Sequence, residues 1–206
     1  FNRKLDRTTA EAMSSVFYEV VVAPDYTPDA LEILTQKRNL RILAVDPVSQ
    51  DRQFTGYDYR VISGGILVQH LDISIDDPNL WQTATDREPT EQERLDLAFA
   101  WKAVKHIKSN AIVFVKRETL VGMGAGQPNR VVSVHLAQRI ADSKAIGSVI
   151  ASDAFFPFPD NIELAQQAGI TAIIQPGGSI RDDEVIAEAN KNNMAMLFTG
   201  IRHFRH

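Results

Sequence analysis

Residues 147–199 constrain the fold more than any other stretch, because apolar runs and helix-type segments alternate there with almost no linker. Residues 147–151 form a short apolar run, the pattern of a buried strand. A helical pattern over 161–168 is stopped by Gly169, and 170–175 is a second strand. The tight turn PGGS (176–179) leads to a helix over 180–190, with Arg181, Asp182, Asp183 and Glu184 in its first turn, and then to a third strand over 194–199. Strand, helix, strand, helix, strand with short links predicts parallel strands joined by right-handed crossovers. The segments after the three strands, 152–160, 177–179 and 200–206, then fall on one edge of the sheet. In open α/β sheets that carboxyl edge is where ligands bind.

The first of these segments, SDAFFPFPD, is unlike a solvated connector. Asp153 is an acid at the end of a strand, and residues 155–159 hold three phenylalanines and two prolines. Pro157 and Pro159 remove two backbone donors and stiffen the loop, which makes it a wall suited to a flat ligand. Asp160 suits two roles, N-cap of the following helix or acceptor for a ligand. The terminal segment IRHFRH leaves a buried strand directly, and Ile201 and Phe204 interleave with its arginines. That predicts a docked tail anchored by Phe204, with His203 and His206 on the ligand edge.

Upstream, 5–15 reads as a helix capped by Asp6 or Thr8, and 17–23 as a strand ended by Pro24. Thr27 caps a helix with Pro28 in its first position, running to about residue 38, and 40–45 is the next strand. The order in 17–45 is repeated in 148–175, so two related α/β halves are expected, 1–89 and 90–206. Residues 46–55 are turn-rich, and 57–70 reads as two strands broken at Gly64–Gly65. Residues 72–89 read as an exposed excursion or boundary. Thr90 and Glu93 form a capping box for a helix to about residue 108, apolar almost all round and therefore expected to be central and buried. Strands over 110–115 and 119–123 and a helix over 131–141 follow.

Composition removes several function classes. With 22 Lys and Arg against 26 Asp and Glu, no basic excess is available to neutralise phosphates, so nucleic-acid binding is not expected. No apolar run approaches the ~20 residues of a membrane span. There is no cysteine, hence no disulfide, no thiolate chemistry and no cysteine-bearing zinc set. GMGAGQPNR (122–130) has the glycines of a phosphate loop but not the lysine followed by Ser or Thr. Its glycines are better read as permitting close packing, with Arg130 at a helix start as a single anion contact. Ser109, Ser152 and Ser179 have no histidine partner in sequence, and His70, His106 and His135 read as surface or structural residues.

Taken together, KSNAIVFVK (108–116), GMGAGQPNR (122–130), SDAFFPFPD (152–160), QPGGSIRDDEVI (175–186) and RHFRH (202–206) resemble the AICAR transformylase/IMP cyclohydrolase family over essentially the whole chain. The resemblance implies α/β architecture, two cytidine-deaminase-like three-layer α/β/α halves with mixed sheets and no zinc. It also implies transfer of a formyl group from 10-formyltetrahydrofolate to the 5-amino group of AICAR, in a cytoplasmic homodimer. Carried over by motif, Asn110, Arg130, Phe155 and Arg202 match AICAR-contacting positions, with Asn110 positioning at the reaction centre and Arg202 on the phosphate. Glu19 matches an acid that reaches AICAR across the dimer. Val131, Asp160, Ser179 and Ile180 match the folate side. Asp153 matches a carboxylate beside a structural potassium ion, with carbonyls from 104–111.

Two departures accompany the match. Pro159 stands where the family usually has arginine. The family's catalytic Lys-His pair and its cyclohydrolase domain are expected upstream of Phe1, so the chain reads as a piece that lacks formyl transfer by itself. Lys105-His106, in the helix expected to be buried, is not that motif. The competing reading is a non-catalytic nucleotide- or folate-binding or dimerisation module.

Overall fold

The computed structural model describes residues 1–46, 56–73 and 76–205, which divide into two units, Phe1–Leu71 and Asp72–His206. In the first, the Asp6 carboxylate accepts from Thr9 N at 2.9 Å and starts helix α1 (Arg7–Met13). Strand β1 (Val20–Ala23) follows, and Thr27 accepts from Ala30 N at 3.3 Å to cap α2 (Pro28–Leu34), with Pro28 in its first turn. Strand β2 (Arg41–Ala44) pairs with β1 in parallel, Val20 opposite Arg41. Val21, Ala23, Tyr26, Ala30 and Leu34 pack with Leu5 and Ala10, while Val20 and Val22 face outward, the alternation a strand imposes. Strands β3 (Tyr57–Ile62) and β4 (Gly65–His70) form an antiparallel hairpin whose turn places Gly64 at φ 84°. The turn-rich reading of 46–55 lies, from residue 47 on, outside the described residues.

The second unit begins at Asp72, not at Thr90. Strand β5 (Gln82–Thr83) precedes α3 (Glu91–Val104), β6 (Ile112–Lys116), β7 (Thr119–Gly124) and α4 (Arg130–Ala141). Then come β8 (Val149–Ser152), α5 (Asp160–Gln167), β9 (Ala172–Gln175), α6 (Asp182–Lys191) and β10 (Ala195–Phe198). The six strands form one mixed sheet in the order β5-β10-β9-β8-β6-β7. Strands β8, β9 and β10 are parallel, as the short links required. Their following segments therefore share one edge.

Both faces of this sheet are covered, so adjacent residues of one strand belong to different cores. Ile112, Phe114, Ile150, Ile173 and Met196 pack against α4, α5 and α6. Val113, Val115, Ala151, Ile174 and Leu197 pack against Leu97, Ala100, Trp101 and Val104 of α3. The result is a three-layer α/β/α arrangement, and near-continuous apolar strands are what burial on both faces demands. The β-α-β order shared by 17–45 and 148–175 has a parallel pair in each copy.

One expectation is corrected. Helix α3 is not buried all round: Leu95 and Phe99 are exposed, and only one side faces the sheet. Its capping box is present, with Glu93 N donating to Thr90 Oγ1 at 3.2 Å and Thr90 N to Glu93 Oε2 at 2.8 Å. Residues 72–73 and 76–89 start at the boundary between the two units and are mostly exposed, as expected, and several of them are tied to the sheet. Leu197 pairs with Thr83 across β5, Met196 N donates to the buried Thr85 hydroxyl, and Arg87 ties the segment to three elements. Its guanidinium meets both Glu93 oxygens at 2.9 Å and donates to Thr171 O at 2.6 Å and Asn193 O at 2.8 Å.

Partial burial pushes the Glu93 carboxyl up, but the hydrogen bonds from Arg87 and Thr90 outweigh it and hold the group at about 2 against an ordinary 4.5. A depressed carboxyl contributes stability that is complete above its unfolded value and lost as pH falls through the folded one. We expect Glu93→Gln to destabilise the chain by up to about 3 kcal/mol at pH 7, with the gap to the parent closing between pH 4.5 and pH 2. Thermal unfolding across that range checks this, and a gap indifferent to pH would contradict the charge argument.

The glycines of β7 also have a structural explanation. A Cβ on Gly124 would sit 2.0 Å from Ser133 O, and one on Gly122 would sit 2.2 Å from Ala137 O, both backbone atoms of α4. Gly126, at φ 66°, has open space around it. Gly124→Ala should therefore lower the melting temperature well beyond Gly126→Ala. The first meets helix backbone that cannot rotate away, at or above ~3 kcal/mol, the top of the overpacking range, while the second costs only a left-handed backbone, about 1–2 kcal/mol. Equal melting temperatures would remove the packing role.

Candidate functional site

Asn110 stands just ahead of β6, following a cis Ser109–Asn110 peptide. Its backbone N donates to Gln127 O at 3.1 Å and its side-chain Nδ2 to the same oxygen at 3.0 Å. Ser133 Oγ donates to Asn110 O at 2.7 Å. These bonds lace Asn110 to the loop that enters α4. Asn129 caps that helix, accepting from Val131 N at 2.8 Å, and so sets Arg130 in its first turn. Arg130 Nη2 meets Asp153 Oδ1 at 2.6 Å, and Nη1 lies 3.4 Å from Phe155 O. The Arg130 side chain is 9% exposed and that of Asp153 0%. Among the described residues Arg130 Nε and Asp153 Oδ2 are buried without a hydrogen-bond partner.

Opposite lies the stiff loop after β8. Phe156 is buried, and its N–H donates at 2.7 Å to Oε1 of Gln175, itself fully buried at the end of β9. The rings on either side of Phe156 carry guanidinium groups: Arg202 lies 4.7 Å from the Phe155 centroid, and Arg181 lies 4.8 Å from that of Phe158. Asp160 is not the N-cap. Pro159 occupies that position, and Asp160 opens α5, its Oδ1 accepting from Asn161 N at 2.7 Å and from Asn161 Nδ2 at 2.8 Å.

Between these walls is a cleft of about 350 Å³. It brings together four residues singled out from sequence: Asn110, Arg130, Val131 and Asp160. Phe155 and Arg202 stack on each other at the same edge. Ser179 and the fully exposed Ile180 belong to the next loop of that edge, where Asp182 Oδ2 accepts from Gly178 N at 2.7 Å and Ser179 N at 3.1 Å. Glu19 lies in the first unit, immediately before β1, in a separate depression lined also by Lys37, Arg38 and Arg41. Sequence reasoning missed Asn161, whose side chain is buried with Oδ1 unpartnered among the described residues, and Gln175. The only available signal was a polar residue inside an otherwise apolar pattern.

Three histidines stand as expected at the surface, and His203 departs from expectation. His70, His106 and His135 are exposed. Lys105-His106 falls at the end of α3, with Lys105 Nζ 3.3 Å from Asp72 Oδ1. His203 turns inward, fully buried, with Nδ1 2.7 Å from Asp72 Oδ2. The tail anchor is therefore His203, because Phe204 is exposed. His206 lies outside the described residues. No helix among the described residues is long and apolar enough to cross a membrane, and these residues include no group of three or more His, Asp or Glu able to hold a metal ion.

A family profile described as the AICARFT/IMPCHase bienzyme matches residues 1–140. The chain is 52% identical over 211 residues to a bifunctional purine biosynthesis protein of Dictyostelium discoideum. It is also 52% identical over 206 residues to one of Streptococcus agalactiae and 53% identical to one of Caldicellulosiruptor saccharolyticus. Each match covers all of this chain and about 40% of the relative.

The buried ion pair yields a direct test. Asp153→Ala leaves the Arg130 charge buried and unpaired, and should cost about 3–5 kcal/mol. Adding Arg130→Met removes the orphaned charge and should restore part of that loss. A double variant less stable than Asp153→Ala, by chemical denaturation, would show that the two side chains act separately.

Proposed function

The chain belongs to the AICARFT/IMPCHase bienzyme family, and from that premise we propose that it supplies part of a formyltransferase site, moving a formyl group from 10-formyltetrahydrofolate to AICAR. The observation that carries the reading is the cleft, where the AICAR-side Asn110 and Arg130 and the folate-side Val131 and Asp160 line one space. An aryl amine conjugated to a carboxamide is a poor nucleophile, so a base must remove its proton as the formyl carbon is attacked, and a donor must stabilise the oxyanion. Asn110, held through its backbone and side chain by Gln127 O, positions the AICAR base. Arg202 takes the ribonucleotide phosphate: among the described residues its guanidinium has aromatic rings around it but no hydrogen bond or ion pair. Phe155 and Phe158 form the wall for the flat rings, with Ser179 and Ile180 closing the folate end.

Glu19 completes the site from a second copy, in a cytoplasmic homodimer. The first unit would be the C-terminal part of one transformylase half and the second unit the other half. The buried, unpartnered Oδ2 of Asp153 is the donor a potassium ion would take, supplying a fixed positive charge beside the site. A second reading, a binding module without catalysis, is favoured by one observation: among the described residues neither histidine nor lysine lines the cleft.

Both readings require binding, and the carboxylate of Asp160 separates the two ligands. It accepts hydrogen bonds, whereas an amide would also present donors to the donor-rich edge of the pterin. Asp160→Asn should weaken folate by about tenfold and AICAR much less, by titration calorimetry with each ligand. Equal losses would reduce Asp160 to its local bonds with Asn161.

A further inference from the structure

In the terminal segment 201–205 His203 alone is buried, while Arg202, Phe204 and Arg205 are exposed. The inward residue sits in a cluster that the cleft does not include. His203 Nδ1 lies 2.7 Å from Asp72 Oδ2, and Nε2 lies 3.2 Å from Asp76 Oδ2, aimed too poorly for a hydrogen bond. Lys105 Nζ stands 3.3 Å from Asp72 Oδ1 and 3.9 Å from Asp76 Oδ2. The Trp101 ring packs 4.8 Å from the imidazole. The backbone is pinned beside it: His203 N donates to Asp153 O at 3.0 Å, Ser109 N to Arg205 O at 2.8 Å, and Arg205 N to Ser109 Oγ at 3.0 Å.

We propose that His203, held by Asp72, Asp76 and Lys105, is a positioning residue for ligand binding, acting through the chain to hold Arg202 and Phe204 on the binding edge. The argument is geometric. A buried imidazole is costly to withdraw, because its hydrogen bond to Asp72 would be lost and a cavity left beside the Trp101 ring. Its neighbours in the chain are then directed the other way. Arg202 lies 4.7 Å from the Phe155 ring and 5.8 Å from the Phe204 ring, a guanidinium fixed between aromatic groups with its N–H donors unspent. Nothing else among the described residues bonds the Arg202 side chain, so its placement depends on the anchor one residue on. A binding group held in place before the ligand arrives loses less freedom on binding. Asp72 and Asp76 thereby acquire a role at a distance from the cleft.

The inference rests on the reading that Arg202 takes the phosphate of AICAR, and the test has one arm independent of that reading. Trypsin cleavage after Arg202 releases residues 203–206, HFRH in the parent and AFRH in His203→Ala, and mass spectrometry follows this peptide together with its product shortened at Arg205 in the 206-residue chain. Two variants are compared with the parent, His203→Ala and Asp72→Asn, the second retaining the imidazole and its packing. Both should release the peptide at least about tenfold faster and weaken AICAR by about five- to tenfold. In an Arg202→Ala background neither should weaken AICAR further, because the anchor acts only through Arg202. Unchanged peptide release in both variants, or AICAR losses that add to that of Arg202→Ala, overturns the proposal. If Arg202→Ala alone leaves AICAR binding intact, the phosphate reading fails, and the peptide-release arm still decides whether His203 anchors the tail.

Discussion

A guanidinium and a carboxylate meet at 2.6 Å with almost no water around them, and the carboxyl edge of the second unit's sheet is built on that contact. Arg130 belongs to the first turn of α4, and Asp153 to the end of β8. Their pairing fixes the loop after β8 to the helix beside it, and the contact of Arg130 with Phe155 O carries the restraint one step further along the loop. The backbone of Asp153 is used as fully as its side chain, its N–H donating to Ala111 O and its carbonyl accepting from His203 N. Asn110, the stiff loop and the terminal segment thus meet around one residue. Burying both charges is expensive unless they stay together, so the pair contributes more to the definition of this edge than to net stability.

The edge exists because the sheet is covered on both faces. With α3 on one side and α4, α5 and α6 on the other, the ends of the strands are where backbone and polar side chains can reach a ligand. The close approach of α4 to β7, which the glycines permit, sets where Asn129 and Arg130 emerge. GMGAGQPNR therefore works as a packing element that delivers an arginine.

Residues tied to local chemistry were legible in the sequence. The Thr90–Glu93 capping box, the Thr27–Pro28 helix start, the Gly64–Gly65 turn and the parallel order of β8, β9 and β10 all follow from spacing and backbone preference. Asn110, Arg130, Val131 and Asp160, which the family resemblance singles out, line one cleft. Residues whose importance comes from a distant partner were not legible. Arg87 sits in a polar stretch that read as exposed, yet it bonds Thr171 and Asn193. Gln175 gives no sign in sequence that it holds Phe156, and Asp160 looked like a cap because nothing local said that Pro159 would take the position.

By itself the sequence determined which segments could be helix or strand, which strands had to be parallel, and which edge would gather the loops. Those properties depend on backbone geometry and on apolar periodicity, and both are encoded within a few residues. Only the tertiary structure decided which charges are neutralised by a partner and which are left among aromatic rings. Arg130 is paired while Arg202 is stacked between rings, and His203 turns inward while its neighbours turn out. The reason is physical: the electrostatic state of a side chain is set by burial and by partners within a few ångströms, and in this fold those partners come from far along the chain, as Asp72 does for His203.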